Sequence, residues 1–268
     1  MVSLSEFIEF LERVAPPQLA LPDDSIGLQI GDSRRSEWDK KNLRCVVVAL
    51  EPSIQAVQYA VDVKAQLIIT HHPLFYKNLK DLTGGLLQKV RALLSNYISL
   101  YVVHTNWDFA ENGVNDTLID LMGLVKTGVN SIEWKPSGKY LTRFCTPPSG
   151  LMSLKFLLEV LSLKLKPQQL IYVGDLDGEV KNIIVSCGDG ADTLLLKAAC
   201  NMGVDTYITG EASYHSMIYA KENNLKLVVA GHYETENPGM KRLSQILQIE
   251  FPELKILFFD VQPAFYAY

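Results

Sequence analysis

Short, predominantly apolar runs, separated by helix-length amphipathic stretches, constrain this chain more than any other feature. Residues 45–50, 67–70 and 98–104 read as strands, with helices over 53–63, 86–95 and 114–122. A strand apolar on both faces must be covered on both, which is the condition of a parallel sheet flanked by helices. The pattern restarts after a polar, turn-rich interval near residues 123–138. Strands at 140–145, 170–173, 182–187, 206–209, 227–230 and 256–259 then alternate with helices at 153–163, 191–202, 213–223 and from about 238 to 247. The expectation is an α/β chain of two domains with mainly parallel strands, residues 1–127 and 128–268, the last strand being free to return to the first domain.

Ser3 followed by Glu6 forms a capping box ahead of Leu4, Phe7, Ile8, Leu11 and Val14 at helical spacing, and Pro16-Pro17 ends that helix. With 268 residues and 48% hydrophobic content the chain can bury a large core. Its formal charge of −5 argues against a nucleic-acid surface as its main business. Cys45, Cys145, Cys187 and Cys200 stand singly, as buried thiols in a reducing cytosol would. The N-terminus has neither a basic start nor a long apolar core, and no run approaches a membrane span. A cytoplasmic protein is expected.

The chain's 5 histidines are not scattered. His71 and His72 close residues 67–70 in Thr70-His71-His72-Pro73, and His104 closes 98–103 ahead of Asp108. His215 follows Gly210-Glu211, and His232 follows 227–230 in Gly231-His232-Tyr233-Glu234-Thr235-Glu236. In open parallel sheets ligands gather beyond the carboxyl ends of the strands, and four strands carry such candidates there, Glu211 included. Imidazole with carboxylate is ligand chemistry for zinc, iron, manganese or nickel. A single histidine is more often a turn residue or a satisfied core group; the agreement of four strand ends favours a metal centre. The spacings 104/108 and 232/236 suit one helical face or a loop past a strand. One ion fits such a set, and so do two ions about 3.5–4 Å apart sharing an activated water.

Taken together these residues resemble the GTP cyclohydrolase I type 2 homologues, the NGG-one-interacting-factor-three-like family. The resemblance rests on Thr70-His71-His72-Pro73, His104-Thr105 with Asp108, Thr209-Gly210-Glu211 with Tyr214-His215, and Gly231-His232 with Glu236. Asp24-Ser25-Ile26-Gly27-Leu28 is similar to that family's Trp-Asp-Asn-x-Gly-Leu, with Asp23 and Ser25 in place of the Trp and Asn. Glu211 replaces an Asp, and Ser137-Gly138-Lys139-Tyr140 replaces Gly-Arg-x-Gly. The resemblance implies two α/β domains, a dinuclear metal site between them at the strand carboxyl ends, and a ring-shaped homohexamer. It implies His71, His72, Asp108, His232 and Glu236 as ligands of two divalent ions, Glu236 bridging, and His104 lining the site as an acid/base.

Two functions of different class follow. One is a metal-dependent hydrolase of a small-molecule or nucleotide substrate, with GTP opened at C8 as the family's example. The other is a metal-bearing oligomeric scaffold or regulatory interaction protein without significant catalysis. Among secondary features, Gly188-Asp189-Gly190 reads either as a phosphate cradle or as an ordinary turn needing positive φ. Tyr76, Lys77, Lys80 and Lys139 read as a solvated surface or as contacts to an anionic substrate. Phe259, Phe265, Tyr266 and Tyr268 read as a packed tail or a subunit contact.

Overall fold

Five strands make the sheet around which Met1–Gly113 and Met240–Gln262 form one compact unit. The structure, a computed structural model, describes residues 1–76, 79–134, 138–265 and 267. Lys77, Ser137, Tyr266 and Tyr268 therefore lie outside the described residues. Cys45–Ala49, Leu67–Thr70 and Ser99–Val102 run parallel, with Val46 opposite Leu67 and Leu67 opposite Ser99. Every residue of these strands is buried, the polar Thr70 and Ser99 included. Val47, Ala49, Ile68, Leu100 and Val102 join Ala56, Val57, Ala60 and Leu93 of the helices Ile54–Asp62 and Gly84–Ser95 in one core. Val46, Val48 and Ile69 alternate to the opposite face and are also fully buried.

The final strand, Lys255–Phe259, pairs in parallel with Cys45–Ala49. The other edge is antiparallel. Gly27–Ile30 lies against Ser99–Val102 with a register break between Leu28 and Ile30, a strand absent from the sequence expectation. Ser3 caps the helix Leu4–Val14 by accepting from the Glu6 amide at 3.1 Å, an interaction that contributes about 1 kcal/mol. That helix buries Phe7, which stacks on Phe251.

The second unit comprises Val114–Gly239 and Pro263–Tyr268. Its six strands lie in the order Ile171–Val173, Lys226–Val229, Thr206–Thr209, Ile183–Ser186, Gly138–Thr146, Val125–Trp134. The inner three are parallel, whereas the strands on both sides are antiparallel, so both sheets are mixed and not purely parallel. The interval expected to be turn-rich is largely the long strand Val125–Trp134. Its β-branched Val125, Thr127 and Val129 suit an extended edge ribbon even though their side chains are exposed, and Ile132 is its buried apolar residue. Of its polar residues, Lys126 reaches Asp116 at 2.6 Å, where the buried Arg143 also pairs. The helix expected to start at Pro238 starts at His232 and runs to Glu250, with the proline inside it.

Candidate metal centre

Within the first unit, sheet order decides which strand ends meet. Leu67–Thr70 and Ser99–Val102 are neighbours, and adjacent strands lie about 4.8 Å apart. The residues that follow them are therefore neighbours too: the rings of His71 and His104 are 5.1 Å apart, and those of His71 and His72 5.2 Å. The turn that carries the two histidines is fastened to the end of the preceding strand. The amides of His71 and His72 donate to Leu50 O at 3.1 and 2.9 Å, and the Thr70 hydroxyl donates to His72 O. One ligand nitrogen from each of His71, His72 and His104 falls within 4.8 Å of the others.

His71 is fully buried and its tautomer follows from its surroundings. Nδ1 lies 2.8 Å from Val103 O, a group that only accepts, so Nδ1 carries the proton. The Nε2 lone pair of the neutral ring then faces Asp108 Oδ1 at 3.4 Å. Two acceptors in that relation need a proton or a cation between them. Metal-binding histidines are held this way, one ring nitrogen donating to a carbonyl or carboxylate while the other is presented forward. His104 repeats it: Nδ1 lies 2.7 Å from Asp24 Oδ1, while Asp24 Oδ2 accepts from the Thr105 amide and hydroxyl. Burial pushes the Asp24 carboxyl up, but the His104 and Thr105 hydrogen bonds and the His104 charge outweigh it and leave it below the usual carboxylate value. His104 caps the five-residue helix Thr105–Phe109 that brings Asp108 round.

Asp24 is a site residue that strand-end reasoning missed. The signal available was the motif around it, and Gln29, directly after that motif, pins the loop after the histidines. Gln29 Oε1 accepts from the Leu74 and Phe75 amides, and Nε2 donates to Ser25 O and Phe75 O.

The second unit builds its own donor group by the same rule. Thr206–Thr209 neighbours Lys226–Val229, so Glu211 and His232 come together, with Nδ1 3.0 Å from Glu211 Oε1. Glu236 follows one helical turn later and sets Oε2 3.0 Å from His232 Nε2. With carboxylates at both nitrogens the ring, in the absence of a cation, is an imidazolium. Burial alone would lower its pKa; the hydrogen bond and charge of Glu236, then Glu211, raise it to about 9. Asp189, nearby and exposed at its outer side, is pushed above its usual value by partial desolvation and then by the Glu211 charge.

Gly188 belongs to this group by its shape. Its φ is +63°, and a Cβ there would stand 2.0 Å from Glu236 Oε1. Its carbonyl accepts from the amides of Gly210 and Glu211, and its amide donates to Thr235 Oγ1. The glycine turn is thus a seat for Glu236 and the neighbouring strand end, built from its own backbone bonds. His215 lies elsewhere, exposed on the helix Tyr214–Glu222. Tyr76 is exposed with its ring 6.0 Å from His104, and Lys80 and Lys139 are exposed. Phe259 packs on Tyr59, whereas Phe265 is exposed. Cys45, Cys145 and Cys187 are buried free thiols and Cys200 is half-buried.

The donors in both units, imidazole nitrogens oriented by carbonyl or carboxylate and set among carboxylate oxygens, fit a divalent transition metal. A family described as Duf34/NIF3 (NGG1p interacting factor 3) matches residues 2–264. A GTP cyclohydrolase 1 type 2 homolog of Clostridium perfringens is 30% identical over 246 residues, 91% of this chain and 90% of that one. Among solved structures, reduced HcgD from Methanocaldococcus jannaschii matches with a TM-score of 0.82 at 31% identity, over 97% of this chain and 98% of that one. The Staphylococcus aureus hypothetical protein SA1388 matches with a TM-score of 0.86 over 99% of each chain; at 22% identity it bears on the fold alone.

Proposed function

The chain belongs to the Duf34/NIF3 (NGG1p interacting factor 3) family, and we propose that within it this protein is a dinuclear metal-dependent hydrolase of a nucleotide-like substrate. The observation that carries the reading is the facing of His71 Nε2 and Asp108 Oδ1 at 3.4 Å beside two further imidazoles. The proposed ligands are His71, His72, Asp108, His232 and Glu236, and the ions two divalent cations drawn from zinc, iron, manganese and nickel. Ions held by such ligands supply water ionised near neutral pH, with a pKa brought down to about 7.

The chain's own groups do the rest. Asp24 accepts from His104 Nδ1, so Nε2 is the atom that exchanges a proton with substrate. Asp24, fixed by Thr105, stabilises the imidazolium formed when it does. Glu211 and Glu236 repel a polyphosphate until cations offset their charge, which couples substrate entry to metal loading. GTP, named in the descriptions of the relatives, is the first substrate to try, followed by other nucleoside triphosphates and phosphoesters.

No helix among the described residues is long and apolar enough to cross a membrane. We place the protein in the cytoplasm as a homohexamer, which light scattering checks; a monomer at micromolar concentration refutes that part. Metal-loaded and chelated protein offered the same nucleotide panel test the hydrolase. Turnover by the loaded form alone is expected, and Glu236→Ala should lower metal content more than His104→Ala. A metal-replete, assembled protein that leaves the whole panel untouched hands the ground to the scaffold reading.

A further inference from the structure

A cavity of about 440 Å³ opens in the first unit at the end of the sheet opposite the histidines. It lies where Ser99–Val102 begins and where the antiparallel Gly27–Ile30 ends. Its volume is within the range of roughly 300–1,000 Å³ common for small-molecule sites. The wall is Leu4, Ile30, Trp38, Leu93, Leu94 and Ile98, with Tyr97 exposed at the rim.

One cation lines this apolar space without an acid to match it. The Lys41 ammonium has three donors. Two go to neutral acceptors, Ser99 Oγ at 2.7 Å and Tyr97 O at 3.0 Å. Burial lowers its pKa, and no carboxylate among the described residues reaches it. The acids of the rim are engaged elsewhere: Asp32 pairs with Arg34 at 2.7 Å and Glu37 with Lys40 at 2.8 Å. The lysine backbone is held as well, its carbonyl accepting from the Leu4 amide and its amide donating to Trp38 O.

The geometry points to a binding site for an anionic amphiphile: a monocarboxylate whose head pairs with Lys41 and whose unbranched alkyl chain fills the apolar wall. A cationic head would meet the ammonium, and a neutral one would leave it half-desolvated without a counter-charge. A carboxylate takes the remaining donor in a short, charge-assisted bond. This site is separate from the metal donors and rests on none of them.

The test uses the full chain, chelated and metal-loaded in parallel, titrated calorimetrically with decanoate, decanol and decyltrimethylammonium. Decanoate is expected to bind saturably in both preparations and at least about tenfold more weakly to Lys41→Met, while decanol distinguishes the two proteins little. Lys41→Arg, which keeps the charge, should retain most of the affinity, separating loss of the ion pair from loss of fold. Trp38 fluorescence should change with decanoate and lose that response in Trp38→Phe. Equal decanoate affinity in wild type and Lys41→Met, or no saturable binding to the folded protein, overturns the proposal.

Discussion

In chelated protein His232 should hold its proton well above neutrality, and Glu236→Gln should take most of that elevation away. Both ring nitrogens face carboxylates at 3.0 Å. Burial pulls the pKa down, but Glu236 and then Glu211 lift it to about 9 from the ordinary 6.5. At about 1.4 kcal/mol per decade the difference is about 3 kcal/mol. The larger part belongs to Glu236, because its side chain is 5% exposed whereas that of Glu211 is 57% exposed and screened by solvent. Since the folded value lies above the unfolded one, the stabilisation of the metal-free protein is complete below about pH 6.5 and is lost as pH rises through about 9. A metal held by His232, as proposed, would compete for the same lone pair, so this one ligand would make apparent affinity fall about tenfold for each pH unit below about 9. Imidazole proton resonances followed through a pH titration, with His232→Gln to assign the signal, read the effect directly. Glu236→Gln should bring the midpoint down by about one to two pH units. A wild-type His232 that titrates at or below 6.5, or one that Glu236→Gln does not move, refutes the reasoning.

Gly188→Ala should lower metal content in a protein that still folds, since the new Cβ would stand 2.0 Å from Glu236 Oε1 and push that carboxylate aside; elemental analysis reading wild-type content would count against the seat assigned to Gly188. Asp24→Asn removes the charge behind His104 and should slow hydrolysis by about 10–100-fold while metal content holds. His104→Ala should cost about 10²–10⁴-fold in turnover, again with metal retained, and kinetics alongside metal analysis check both variants. Asp116→Ala removes a carboxylate that the buried Arg143 and Lys126 share and should cost about 1.5–3 kcal/mol, seen as an earlier urea midpoint; an unchanged midpoint would mean that the pair is dispensable.

Some of this molecule is written plainly in its residues. Leu67–Thr70 and Thr206–Thr209 coincide with their expected bounds because every residue of each run is buried, while polar or turn residues (Gln66 and His71, Asp205 and Gly210) flank them. Val125–Trp134 hides because an edge ribbon needs only half its side chains apolar, and Lys126 finds its acid through the fold. Pro238 reads as a helix start, yet the helix already turns at His232, where Thr235 Oγ1 donates to the Gly231 carbonyl. The strand-end location of the candidate donors is legible because parallel strands share a carboxyl end. Which donors touch is not, because that depends on strand order: His104 meets Asp24 across 80 residues of chain, and Glu211 meets His232 only because their strands are neighbours.

The parallel pairing of Lys255–Phe259 with Cys45–Ala49 also has a consequence for how the chain is made. An entire second unit is synthesised between these partners, so the first sheet waits for this strand until that unit has been made. Through that interval Cys45–Ala49, four of whose five residues are Val or Ala, stands as an open sheet edge. Such an edge templates pairing with other chains, and a closure this distant in sequence is slow. A nascent chain stalled before residue 255 should therefore be the species most prone to aggregate and most in need of a chaperone.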